Sequence, residues 1–407
     1  MRIFNLDTMP VWLLIFLCII TALISGCYTP DSSRHSQYQQ QYQQSKNVDP
    51  LTAALEMVEK CKPEDKVMWE YRAAAIAMRY GKFEKAKQLL DDAILTINAM
   101  MSPNKEARKA RGLFGKEEKK IFIGEPYERA MAYFYRGILY WMDGEPDNAR
   151  ACFKSAQLMD SDTENKTYAN DYVLFDYLDG YITAKLGGDG SDSLKRAREN
   201  AKSTTIPDYD LQANVFIFVE FGPGPTKYAT GEYNEQLRFR TYKSPIQSAT
   251  IKIADKTIHL KPIDDLNYQA TTRGGRVMDH ILANKAVFKD ATDKVGTAAI
   301  VTGAILATSR DTRDAGLITA GIGLLGKVVS SATVPAADTR DWNNLPQYLS
   351  FTALKLPPGQ YTMTVEFNGE SNLPDSRFTK QISFNVKQPP QDTVVFISDQ
   401  SITPLNL

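Results

Sequence analysis

The chain has 407 residues, 43% of them hydrophobic and 24% charged, enough apolar material for sizeable cores and enough length for two or three domains. Lys plus Arg number 48 and Asp plus Glu also number 48, so the formal charge is zero, which excludes a general nucleic-acid binder with a basic footprint. Three histidines and four cysteines leave little for a metal centre or a disulfide framework, and neither a metal nor a cofactor is expected.

Residues 1–26 read as an address rather than as structure. Arg2 and the amino terminus supply a weak positive charge, an apolar run from Val11 to Ile24 follows, and Ser25-Gly26 suit a signal peptidase. The run is about 14 residues, short of the ~20 that cross a bilayer as a helix. Leu23-Ile24-Ser25-Gly26-Cys27 resembles the bacterial lipobox. That resemblance implies a mature chain starting at Cys27, with diacylglycerol on its thiol and an acylated amine, an anchor far stronger than one acyl chain. Tyr28 stands where an Asp would signal inner-membrane retention, so the implied location is the bacterial envelope, at the outer membrane facing the periplasm. Residues 27–50 are polar and Gln-rich, a tether that reaches about 70 Å fully extended.

Residues 51–203 carry helical periodicity. A first helix from Leu51 is closed by Pro63, and two hairpin patterns follow. The first runs through Trp69, Ala74, Tyr80-Gly81-Lys82, Ala86, Leu90 and Ala93, the second through Gly137, Tyr140, Asp143-Gly144-Glu145, Ala149, Phe153 and Ala156. Small residues fall where paired helices must touch, and Leu90 and Phe153 fill the gaps beside them. The pattern resembles the tetratricopeptide repeat, although Ala86 and Ala149 are 63 residues apart where adjacent repeats differ by about 34. The excess is an insertion at 101–126 with seven cations (Lys105, Arg108, Lys109, Arg111, Lys116, Lys119, Lys120) against Glu106, Glu117 and Glu118. A third pair is expected from Tyr172–Leu186 and Ser193–Lys202, with a glycine turn between them. Repeats of this kind bind partners on the inner face of their first helices. Here that stripe comprises Tyr71, Met78, Arg79, Phe134, Ile138 and Trp141, and it is either a protein-binding groove or a face packed on a neighbouring element.

From about 208 to 407 the pattern is that of strands. Ala213–Phe221, 249–253 with 257–260, Tyr348–Leu354 with Tyr361–Phe367, Phe378–Val386 and Thr393–Ile397 are expected to build one antiparallel, sandwich-like β domain, interrupted by helices at 275–333. Asp264-Asp265 reads as an ordinary acidic turn. In the interruption, Gly296, Ala299, Gly303 and Ala307 share one helical face and Gly316, Ala320 and Gly323 another, so a close-packed hairpin is expected, whether buried, dipping into a membrane or zipping subunits together. Gly321–Lys327 fits G-x-x-x-x-G-K, but Val328 stands where a phosphate loop needs Ser or Thr. H-E-x-x-H, C-x-x-C and G-x-S-x-G are all missing, and Cys61 and Cys152 read as buried thiols.

The expected fold is thus α+β and multidomain: repeat-like helical hairpins, then an antiparallel β domain with a Gly/Ala-rich helical insertion. Taken whole, the chain resembles a family of bacterial lipoproteins with tetratricopeptide-type repeats and a β-rich C-terminal region. The stretches Lys119–Phe153 and Asp338–Val365 carry that resemblance. It implies a non-catalytic adaptor that is anchored in the membrane and binds one or more envelope proteins in envelope assembly or cell-wall synthesis. The alternative is a homo-oligomer joined through the Gly/Ala-rich hairpin.

Overall fold

The computed structural model describes residues 49–101, 120–162, 171–201, 204–272, 336–370 and 378–407. The lipobox, nearly all of the tether, the basic run 102–119, His280, and the small-residue stripes from Gly296 to Gly323 lie outside the described residues. The chain divides into two units, Met1–Ala53 and Ala54–Leu407. In the first, Asp49 opens a helix: its Oδ2 accepts the Thr52 N–H at 2.9 Å, and Pro50 follows at a position where the missing N–H is harmless.

The helices are α1 (Pro50–Lys60), α2 (Lys66–Arg79), α3 (Phe83–Met101), α4 (Pro126–Met142), α5 (Pro146–Asp160), α6 (Val173–Lys185), α7 (Ser191–Asn200) and the short α8 (Leu266–Thr272). Helices α2/α3, α4/α5 and α6/α7 pack as three successive pairs. Each first helix stops in the same way. Gly81, Gly144 and Gly187 take φ of 67°, 81° and 84°, conformations that favour glycine. The residue after each donates its N–H to the carbonyl five positions back: Lys82 to Ala77 at 2.8 Å, Glu145 to Tyr140 at 2.9 Å, and Gly188 to Thr183 at 2.9 Å.

Gly137 matters for space. A Cβ built there would lie 2.7 Å from Cε1 of Phe153, so the α4/α5 crossing depends on its absence. Gly137→Val should destabilise the protein by about 1–3 kcal/mol through overpacking, read as a lower urea midpoint at unchanged slope. Ala74, Ala86, Leu90, Ala93, Ala149, Phe153 and Ala156 are fully buried, whereas Tyr140 is half-buried beneath the Arg136 guanidinium, 3.5 Å from its ring centroid.

The strands are β1 (Val215–Pro223), β2 (Thr226–Thr230), β3 (Gln236–Arg240), β4 (Ser248–Ile253), β5 (Lys256–Leu260), β6 (Asp264–Asp265), β7 (Pro346–Leu354), β8 (Gly359–Asn368), β9 (Lys380–Val386), β10 (Thr393–Ser398) and β11 (Leu405–Asn406). They form a four-stranded sheet, β10-β1-β7-β6, a five-stranded sheet, β11-β9-β8-β4-β5, and the separate β2–β3 hairpin.

Two expectations are corrected here. The sheets are mixed rather than antiparallel, because β10 pairs parallel with β1 and β11 parallel with β9. The segments at 348–354 and 361–367 are not a hairpin: β7 pairs with β1, whereas β8 pairs with β4 and β9 in the other sheet. The side chain of Asn214 marks the point of departure. It accepts the Leu356 N–H and donates to the Leu356 carbonyl, both at 2.9 Å, holding the chain as it leaves one sheet for the other.

Side-chain alternation on β1 shows the layering. Val215, Ile217, Val219 and Phe221 join Ile251, Val365, Phe367 and Ile382 of the five-stranded sheet in one apolar core. Phe216 and Phe218 point the other way, onto the helices. A strand buried on both faces has no polar side to show, which explains the nearly unbroken apolar run at 215–221. The change of pattern near residue 208 is therefore a change of layer within one unit.

Candidate functional site

The stripe expected to bind partners is covered by the chain itself. Tyr71, Met78, Arg79, Phe134, Ile138 and Trp141 are each no more than 2% exposed. What lies on them is the four-stranded sheet and the segment at Trp342, together with Phe153 and Phe175 of the neighbouring helices, against Phe134, and Phe122 of the insertion, against Tyr71. The Trp141 ring sits 4.4 Å from that of Phe216, and its Nε1 donates to Asp392 at 2.9 Å. Phe134 meets Phe218 edge-on at 6.0 Å, and Tyr71 stacks on Trp342 at 4.2 Å. The physical reason is area: an aromatic stripe this long is strongly stabilised by burial, and the even-numbered face of β1 offers matching rings.

Two clusters of ionisable groups are set into this seam. In the first, Arg79 donates from Nε to Glu220 at 2.8 Å, from Nη1 to Gln400 at 2.9 Å and from Nη2 to the Asn344 carbonyl at 2.7 Å. The Tyr135 hydroxyl donates to the second Glu220 oxygen at 2.5 Å. Burial, reinforced by the Glu220 carboxylate, holds the Tyr135 hydroxyl protonated far above the usual phenol range.

The second cluster lies at the N-terminus of α4. Glu128 accepts the Lys227 ammonium and the Glu125 N–H on one oxygen, both at 2.6 Å, and the Trp342 N–H on the other at 2.6 Å. Burial pushes its carboxyl up and Lys227 pulls it back. Burial would lower the Lys227 ammonium, but Glu128 and Glu125 more than offset this and hold it above the usual lysine range. Beside them, Asp341 takes Arg72 Nη2 at 3.1 Å, and Arg340 donates to Asp65 at 2.9 Å, Asp338 at 2.7 Å and the Lys120 carbonyl at 2.8 Å. The two stretches that carried the family resemblance, Lys119–Phe153 and Asp338–Val365, thus meet here.

Asp264 also proves to be structural, contrary to its reading as an ordinary turn residue. Its two oxygens accept the Val173 and Leu174 N–H groups at 2.9 and 2.8 Å, capping the N-terminus of α6 from strand β6. Cys61 and Cys152 are unpaired and half-buried, and burial pushes both thiols up to about 11. His259 lies with Nδ1 3.1 Å from the Thr250 hydroxyl. Among the described residues no group of three or more His, Cys, Asp or Glu is placed to hold a metal ion, and no helix is long and apolar enough to cross a membrane.

Chemically, these groups act on one another: each charge in the seam finds its counter-charge or a backbone donor across the layer boundary. Such an arrangement joins two layers in one register. Comparison with protein-family models, with curated proteins and with solved structures gave no match.

Proposed function

We propose that this chain is a lipid-anchored protein of the bacterial envelope, non-catalytic, which works by assembly. Cys27 carries the lipid, residues 28–50 are the leash, and outer-membrane placement follows from Tyr28. The three helix pairs are divergent tetratricopeptide units, a reading supported by the repeated closing turn at Gly81, Gly144 and Gly187 and by the Gly137–Phe153 crossing.

The observation that carries this reading is the closed inner stripe. A platform whose groove is filled by its own sheet makes its contacts elsewhere, with envelope proteins or with its own copies. The Gly/Ala stripes at Gly296–Ala307 and Gly316–Gly323 then become the first choice for self-association, and the basic run for an anionic partner. Arg340, shortly after the Gly/Ala region, donates to the carbonyl of Lys120, the last cation of the basic run.

Analytical ultracentrifugation of the mature, lipidated chain in detergent tests the self-association. The expected result is an oligomer for the wild type and a monomer for Gly303→Leu, with equal melting temperatures. A wild-type monomer overturns self-association and returns the reading to an adaptor for other envelope proteins.

A further inference from the structure

We propose that the outward face of the β2–β3 hairpin is a docking surface for anionic phospholipid headgroups, a proposal that rests on the membrane-anchored reading above. The register separates the two faces of this hairpin. Lys227 pairs with Phe239 and Ala229 with Leu237 on one side, while Thr226 pairs with Arg240 and Tyr228 with Arg238 on the other.

The first side is pinned to the body: the Lys227 ammonium lies 2.6 Å from Glu128, and the Phe239 ring meets Tyr127 edge-on at 5.9 Å. The turn is tied down as well, since the Asn234 carbonyl accepts the Ala337 N–H at 2.8 Å. The second side is therefore held open to solvent on a rigid backing. Tyr228 is 38% exposed and Tyr242, just after β3, is 45% exposed. Arg240 lies over the Tyr228 ring, 5.3 Å from its centroid, and Arg238 donates to the neutral Gln236 at 2.9 Å.

Neither arginine meets a carboxylate among the described residues. The nearby acids are engaged or set apart: Glu235 folds back on the turn to accept the Tyr233 N–H at 3.0 Å, Glu370 pairs with Lys243, and Glu232 stands at the turn. This contrasts with the layer seam, where every arginine has a carboxylate or a carbonyl.

Two guanidiniums flanked by two half-exposed tyrosines suit a headgroup layer. Guanidinium forks match phosphate oxygens, and tyrosine rings sit with an apolar body below and a hydroxyl above the ester region. The face is one side of a two-stranded ribbon, which fits a planar surface better than a peptide. A patch of this charge binds weakly in free solution, but a lipid tether holds it at high effective concentration against the membrane.

The test uses the full mature chain with Cys27→Ala, so that vesicle binding reports the folded surface alone. Co-sedimentation is measured with phosphatidylcholine vesicles and with vesicles containing one third phosphatidylglycerol. Binding to the anionic vesicles only, weakened by salt, is expected. Arg238→Gln/Arg240→Gln should reduce it about tenfold or more, and Tyr228→Ser/Tyr242→Ser should also reduce it, both at unchanged melting temperature. The proposal is overturned by equal binding of the otherwise unaltered Cys27→Ala chain to both vesicle types, by unchanged binding of the arginine pair variant, or by binding that disappears only when Lys105, Arg108, Lys109 and Arg111 are neutralised. Capture of polyglutamate without capture of vesicles also overturns it, in favour of an acidic protein partner. Anchoring has its own readout, in-cell labelling with an alkyne fatty acid that Cys27→Ser abolishes. Absence of label with vesicle binding intact refutes the anchor and leaves the surface standing, and the converse result refutes the surface alone.

Discussion

Trp141→Ala is expected to cost the folded state about 3–5 kcal/mol, a large part of the 5–15 kcal/mol typical of a whole domain. The indole is 1% exposed, lies against Phe216 and Phe218, and donates to Asp392. Truncation removes both ring contacts and opens a cavity between the helical layer and β1. Asp392 keeps Lys185 at 2.7 Å, so its carboxylate is not stranded and the loss is one of packing. Phe134→Ala should behave alike, since its ring contacts Phe153, Phe175 and Phe218 in three different elements. Urea unfolding followed by tryptophan fluorescence checks both variants. If this stripe were a groove open to partners, the two variants would lose partner capture and keep their urea midpoints. A midpoint unchanged in Trp141→Ala would therefore reopen the groove reading and sink the closed-seam one.

Much of the helical layer was legible because helices advertise themselves locally. The small residues at 74, 86, 137 and 149 and the Gly turns at 81 and 144 lie within one hairpin each, so spacing alone places them. What covers the stripe is a longer-range matter. Ala213–Phe221 was readable as a strand, but an apolar run reads the same whether one face or two are buried. A signal was present nonetheless: Glu220 inside that run and Arg79 inside an apolar helical stripe are two charges that burial forces to find partners, and they found each other. Asp264 offered no such signal, since its role as a cap is defined by α6, some 90 residues earlier in the chain. The same holds for 348–367, where a Pro-Pro-Gly connector between two alternating runs predicts a hairpin. Instead the connector is clamped by Asn214, 142 residues away, and the second run pairs with β4 and β9 in the other sheet. The polar face of β2–β3 was likewise unreadable, because alternation in five-residue strands does not say which side meets the body.

The other large effect is expected at Lys227. Lys227→Met removes the ammonium 2.6 Å from Glu128, breaks its 3.5 Å contact with Glu125, and should cost about 3–5 kcal/mol, the usual penalty for stranding a buried charge. The comparison with Lys227→Met/Glu128→Gln decides the cause. Glutamine keeps an oxygen for the Trp342 N–H and carries no charge, so the double variant should be more stable than Lys227→Met alone if stranded charge is the problem. It should be no more stable if charge is not the problem, because the glutamine amide nitrogen then faces the Glu125 N–H that the carboxylate oxygen accepted. Acidity provides a second check. Burial raises the Glu128 carboxyl and Lys227 is the largest influence lowering it, so in Lys227→Met its folded-state value rises further above the unfolded one. A group with a raised folded value binds protons more readily when folded, so its protonation stabilises the fold as pH falls. The deficit of Lys227→Met against wild type should therefore shrink as pH falls through the raised folded-state value of this carboxyl, whereas the double variant, which lacks the titrating group, should show no such recovery. A deficit independent of pH in both would mean that Glu128 is not left charged in the seam, and that the helical layer and the sheet are held in register by the aromatic contacts rather than by this ion pair.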